Sequence, residues 1–227
     1  MAHVSVAFNS TLHETHPLPI PSTDTGSWLY GSVGVMVSEP AFFSLTRPEA
    51  PEGLASQVFS YVDQGATAGT PPSGWDTDRL CEAIGSGPDD WARAKDAVDR
   101  FVMFDLGWTK LLSHEGIRPG ANVAFTAKFL GVWTLNACRI VYVVDEDGPE
   151  EAAYGFAYGT LASHAVSGEE RFLATFNKAT GEVRFEISKF SRPRHPLVRA
   201  LGPITWAVQR RFSRDCVNRV RAEVSLG

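Results

Sequence analysis

Between residues 121 and 187 the chain alternates apolar and polar residues through five successive segments, and it then carries one long amphipathic helix almost to its end. That order is the strongest constraint on its fold. A strand with period-two alternation has one face to bury, and a long helix with one apolar stripe is a natural cover for it. The first segment places Ala121, Val123, Phe125, Ala127 and Phe129 on one face, and the second, Arg139 to Val144, ends at the turn-forming run Asp145-Glu146-Asp147-Gly148. In the third, Tyr154, Phe156, Tyr158 and Thr160 share a face, while Gly155, Ala157 and Gly159 form a small face that another element, expected to be a helix, can approach. The fourth (Glu170, Phe172, Ala174, Phe176) and fifth (Val183, Phe185, Ile187) are joined by the hairpin connection Asn177 to Gly181. The helix from about Pro203 to Val224 repeats Leu201, Ile204, Val208, Phe212, Cys216, Val220 and Val224 at helical spacing.

An additional helix precedes the sheet. Pro88 just inside its start and Asp89 and Asp90 in its first turn are amino-terminal signals, and Trp91, Ala94, Val98, Phe101 and Phe104 form its apolar stripe. The expected class is therefore α+β, a curved antiparallel sheet wrapped on a long carboxy-terminal helix. Residues 1–57 read as a partly irregular extension, since Pro17, Pro19, Pro21, Pro40, Pro48 and Pro51 interrupt every candidate helix. Within it, Trp28, Tyr30 and residues 33–37 are expected to be ordered by packing. A Gly/Thr/Pro-rich loop, Gly65 to Gly74, follows before the first helix.

The first Lys or Arg is Arg47, and no apolar run approaches the roughly 20 residues that span a bilayer, so a soluble, cytoplasmic protein is expected. Cys81, Cys138 and Cys216 are odd in number and far apart, which argues against a disulfide framework and for small buried hydrophobes. From Lys189 onward nine basic residues face Asp215 and Glu223, giving +7 against −12 for the remainder and −5 for the whole. Arg210, Arg214 and Arg221 fall on one helical face. They offer a surface for an anionic membrane, or they pack against acidic loops of the same chain. Nucleic-acid binding is not expected, because the aromatic residues lie on core stripes and the basic residues sit in one terminal segment.

The polar residues with chemical potential are Arg139, Tyr158, Thr160, His164, Glu169 and Glu170. His164 lies on a connection between strands and one of the glutamates that follow could orient it for acid–base work, although groups at strand ends more often satisfy backbone and turn geometry. Adjacent glutamates on a strand point to opposite faces and cannot chelate one ion together; His13 and His16 lack carboxylate company beyond Glu14. Neither a metal nor a cofactor is implied. Gly65-Ala66-Thr67-Ala68-Gly69 imitates a nucleophile elbow, but Pro71 and Pro72 stand where the following helix should be. Gly85-Ser86-Gly87 imitates a phosphate loop, with Asp89 and Asp90 set to repel the phosphate.

Several motifs occur together in order: Gly65-Ala66-Thr67, Pro72-Ser73-Gly74-Trp75, Gly85-Ser86-Gly87, Arg139 to Asp145, Gly155 to Leu161, His164, Gly168-Glu169-Glu170-Arg171-Phe172 and Phe190-Ser191-Arg192-Pro193. Over about residues 58 to 224 the chain resembles the DUF1990 family, which has no established activity. The element order is in turn similar to the helix-grip fold of the START and pollen-allergen (SRPBCC) superfamily. That resemblance implies a cavity between sheet and helix, with Arg139, Tyr154, Phe156, Tyr158, Thr160, Phe172 and Phe185 as ligand candidates, and Phe125 and Phe212 beside them. It is compatible with a binding module for an apolar or lipid-like molecule. The binding module needs only the fold; the alternative is a hydrolase, isomerase or cyclase using Tyr158, His164 and Glu169 or Glu170 at the same cavity. Oligomeric state is not legible.

Overall fold

The computed structural model describes residues 43–226, so the expectations for His13, His16, Trp28, Tyr30 and residues 33–37 lie outside the described residues. The chain order is β1 (Phe43–Ser44), β2 (Asp76–Ser86), α1 (Pro88–Asp99), β3 (Thr109–His114), β4 (Asn122–Phe129), β5 (Val132–Asp147), β6 (Glu151–Thr160), β7 (Val166–Asn177), β8 (Glu182–Pro193), α2 (Pro196–Ala200) and α3 (Gly202–Val224). All strand pairings are antiparallel, in the order β2-β8-β7-β6-β5-β4-β3, with β1 added to β5. The sheet wraps α3, which gives the expected α+β helix-grip architecture, and α1 is the expected helix ahead of the main sheet.

Local chemistry explains the boundaries of α1. Gly87 takes a φ of 88°, Pro88 follows at the first turn, and the Asp90 carboxylate accepts the Ser86 backbone N–H at 2.6 Å. The resemblance of Gly85-Ser86-Gly87 to a phosphate loop is thus accounted for by Asp90, which occupies that N–H. The stripe read through Phe104 does not belong to one helix. The helix ends at Asp99, Phe101 enters the left-handed region at φ 53°, and a 3-10 turn over Val102–Phe104 follows. Phe101 and Phe104 still reach the core, because the break redirects the backbone while keeping both rings inward.

Packing is dense at one end of the grip. Phe101, Phe104, Phe156, Phe172 and Phe185 are buried together with Cys216, Val217, Val220 and Val224 from the carboxy-terminal half of α3. The stripe on α3 divides: Phe212, Cys216, Val220 and Val224 are buried, while Leu201 and Ile204 remain 50% and 44% exposed. Cys138 and Cys216 are buried as expected; Cys81 is only half-buried and lies 3.4 Å from the Arg184 Nε.

Two strands escape the sequence pattern. β2 and β3 form the ends of the sheet order, and their residues are largely exposed or half-buried, with Ile84 and Thr109 buried. A strand with one neighbour has less surface to hide, so its apolar alternation weakens. In β3 a register shift between Leu111 and Ser113 breaks the alternation further.

The arginines of α3 are mostly engaged by the chain's own acids. Arg221 pairs with Glu82 of β2, Arg211 with Asp215 at 3.2 Å and Arg219 with Glu223 at 2.7 Å, while Arg210 lies over the Trp206 ring. Among the described residues, no helix is long and apolar enough to cross a membrane.

Candidate functional site

The inward face of each central strand changes character at the same level. Going along the strands toward the amino-terminal half of α3, Phe156 gives way to Tyr158 on β6, Phe172 to Glu170 on β7 and Ile187 to Lys189 on β8. The register places these three side by side, with Tyr158 opposite Glu170 and Glu170 opposite Lys189. The Tyr158 hydroxyl donates to Glu170 Oε2 at 2.7 Å, and the Lys189 ammonium donates to Glu170 Oε1 at 3.3 Å. Lys189 also donates to the Gln209 carbonyl at 3.2 Å and to Ser213 Oγ at 2.9 Å, which ties β8 to α3. All four side chains, Ser213 included, are buried. Burial and the adjacent Glu170 charge push the Tyr158 phenol well above its usual range, so it stays a donor.

Beyond this tier the sheet and α3 separate. A cavity of about 530 Å³ opens there, walled by Phe125, Ala127 and Phe129 of β4, by Thr134 and Asn136 of β5, and by Ile204, Val208 and Phe212 of α3. Phe43, Trp108, Leu130 and Val198 extend the apolar wall, and the Tyr158, Glu170 and Lys189 tier borders the cavity on its sheet side. Such a volume lies within the range of about 300–1,000 Å³ that suits a drug-sized molecule. Among the described residues that line it, Lys189 is the one Lys or Arg.

Glu169 has a different task from its neighbour. Its carboxylate is 2% exposed and accepts the Tyr61 hydroxyl at 2.6 Å, the Gly65 N–H at 2.7 Å, the Thr67 N–H at 2.9 Å and the Thr67 hydroxyl at 2.5 Å. The Gly65-Ala66-Thr67 turn is therefore a backbone cradle for an internal anion. Burial and then Glu169 raise the Tyr61 phenol far above its ordinary value. Tyr61 lies over the small face of β6: a Cβ at Gly159 would collide with its ring and hydroxyl. The element that approaches that face is this extended segment, with Phe59 bridging to Leu161, and not a helix.

His164 is buried on the β6–β7 connection and borders the cavity. Its Nδ1 accepts the Val166 N–H at 3.0 Å, and no bond to either glutamate is formed among the described residues. Burial, helped by the Arg194 charge, lowers its pKa to about 4, so the ring is neutral at pH 7 and carries its proton on Nε2.

Of the residues expected from sequence, Tyr158, Thr160, His164, Glu169, Glu170, Phe125 and Phe212 border the cavity. Arg139, Tyr154, Phe156, Phe172 and Phe185 do not. Arg139 binds Asn122 at 3.0 Å and the Leu54 carbonyl at 2.7 Å, and Tyr154 donates to Asp99 at 2.5 Å. Phe156, Phe172 and Phe185 belong to the closed aromatic end. Thr160 is occupied by Ser60 at 2.7 Å and by both backbone groups of Gly168. Lys189 is not among the site residues that the sequence marks, although the alternation Val183, Phe185, Ile187 extends to it two residues later. Gln209 and Ser213 carry no such sign, because what matters is their position under Lys189.

A family model described as a domain of unknown function, DUF1990, matches residues 60–219. A UPF0548 protein of Deinococcus radiodurans is 35% identical over 190 residues, covering 75% of this chain and 93% of that protein. A UPF0548 protein of Dictyostelium discoideum is 30% identical over 156 residues, covering 65% of this chain and 72% of its own length. Among solved structures, Ara h 8.0201 matches with a TM-score of 0.44 at 13% identity, over 68% of this chain and 100% of that one. The motif order, the extent of the family match and the relatives agree, and the chain belongs to the DUF1990 family.

Proposed function

We propose that this protein binds a small apolar or lipid-like molecule between the sheet and the amino-terminal half of α3. The observation that carries the reading is the cavity of about 530 Å³ beside an otherwise closely packed aromatic core. Its walls are mostly apolar, and burial of apolar surface is the main driving force available to such a ligand, about 25 cal/mol per Å². The polar tier then supplies orientation. An acid–base mechanism has less support here, since Tyr158 is held protonated and His164 does not reach a carboxylate.

The test is displacement or direct binding of N-phenyl-1-naphthylamine, followed by fluorescence, together with native mass spectrometry of the gently purified protein. Wild type is expected to bind the dye in a saturable way, and Ala127→Trp and Val208→Trp, which fill the space from opposite walls, are expected to stay folded and lose it. Saturable binding that survives in both folded variants would overturn the reading.

A further inference from the structure

The bonding state of the polar tier implies what the buried end of a ligand must be. The three protons of the Lys189 ammonium meet three acceptors, Glu170 Oε1, the Gln209 carbonyl and Ser213 Oγ. Its positive charge is already matched by Glu170 and none of its donors is left over. The Tyr158 proton is likewise committed to Glu170. Acceptor capacity, by contrast, remains. A carboxylate has about four lone-pair directions and a phenol oxygen has two, and the recorded bonds to Glu170 use two of its four. The tier therefore faces the cavity as a set of acceptors.

Charge points the same way. Glu170 and Lys189 cancel, Glu169 keeps its carboxylate within the Tyr61 and Thr67 cradle, and no further Lys or Arg lines the cavity among the described residues. An anionic head pushed against the tier would meet the Glu170 carboxylate without a free cation, in surroundings where repulsion is weakly screened.

We propose that the cavity selects apolar molecules whose buried end is a hydrogen-bond donor, an alcohol or phenol hydroxyl set against Glu170 and Tyr158, and that it rejects fatty carboxylates. This rests on the apolar-ligand reading and narrows it to a ligand class. The hydroxyl donates to a free lone pair of Glu170, while its own oxygen is uncharged and brings no repulsion against that carboxylate.

Three probes of one chain length separate the two levels of the claim: 1-dodecanol, methyl dodecanoate and dodecanoate, each competing at pH 8 with bound N-phenyl-1-naphthylamine. A hydrogen bond to a charged acceptor corresponds to about a tenfold or larger preference. Dodecanol is expected to compete about tenfold more strongly than the methyl ester, which only accepts, and more strongly still than the carboxylate. Glu170→Gln, which puts a donor in place of an acceptor oxygen, is expected to shrink the alcohol-to-ester ratio below about threefold. The wild-type ranking stands even where that variant fails to fold. If neither the dye nor any probe binds, the cavity reading itself fails. If the three probes compete equally, or dodecanoate competes best, the cavity stands and the selection for a donor is overturned.

Discussion

His164 shows what burial does to a group that sequence marks as reactive. Its ring is excluded from water beside the charge of Arg194, and its pKa falls from 6.5 to about 4. An unfolded chain takes up a proton on this histidine near pH 6.5, whereas the folded protein does so only near 4. Between those values the unfolded state holds the additional proton, so stability present above pH 6.5 is lost as the pH falls toward 4. The shift corresponds to about 3 kcal/mol. Urea denaturation at pH 7.5, 5.5 and 4 is expected to show wild type losing about that much more than His164→Asn, whose amide oxygen keeps the Val166 bond without titrating. Parallel pH profiles for the two proteins would mean that the ring is protonated in the folded state.

At the scale of elements, the legible parts were those that bury one face and the illegible ones were those that do not. β4 to β8 and α3 announce themselves because Phe125, Phe156, Phe172, Phe185 and Cys216 repeat toward a common interior. β2 and β3 stand at sheet ends, where Arg79, Glu82 and Lys110 contribute little apolar pattern. The site was half legible for a related reason. Glu169 and Glu170 are indistinguishable by type, and the strand period says only that they diverge; which one spends its carboxylate on the chain itself follows from where residues 59–67 dock. That docking depends on Glu169, which holds Tyr61, Gly65 and Thr67 to the sheet. Glu169→Gln keeps the shape but turns an acceptor oxygen into a donor facing donors. It is expected to destabilise the protein by about 2–3 kcal/mol in urea melts and to expose the segment 59–67 to limited proteolysis. Unchanged stability and cleavage would show that the segment is held without Glu169, by the Ser60 bonds to Thr160 and Ser167 and by the ring contacts of Tyr61 with Phe190 and Trp75.

The whole molecule combines two interiors on one helix. The carboxy-terminal half of α3 is clamped by aromatic packing and by Cys216 against the Met103 carbonyl, while its amino-terminal half, with Leu201 just ahead of it, roofs the cavity with Ile204 and Val208. Lys189 marks the boundary, since its bonds to Gln209 and Ser213 join the two halves to the sheet. Local opening free energy follows buried apolar contact, so the roof is expected to open more easily than the clamp. Backbone amides of residues 205–209 are accordingly expected to exchange hydrogen at least about tenfold faster than those of residues 216–222 in the ligand-free protein. A ligand held under the roof at about 100 times its dissociation constant stabilises the bound form by about 2.7 kcal/mol. Opening of the roof and unfolding of the whole chain both release the ligand, so exchange of 205–209 and of 216–222 should each slow by about 100-fold. Equal exchange rates of the two segments in the ligand-free protein would instead mean that both halves open together, and the division at Lys189 would be structural without being dynamic.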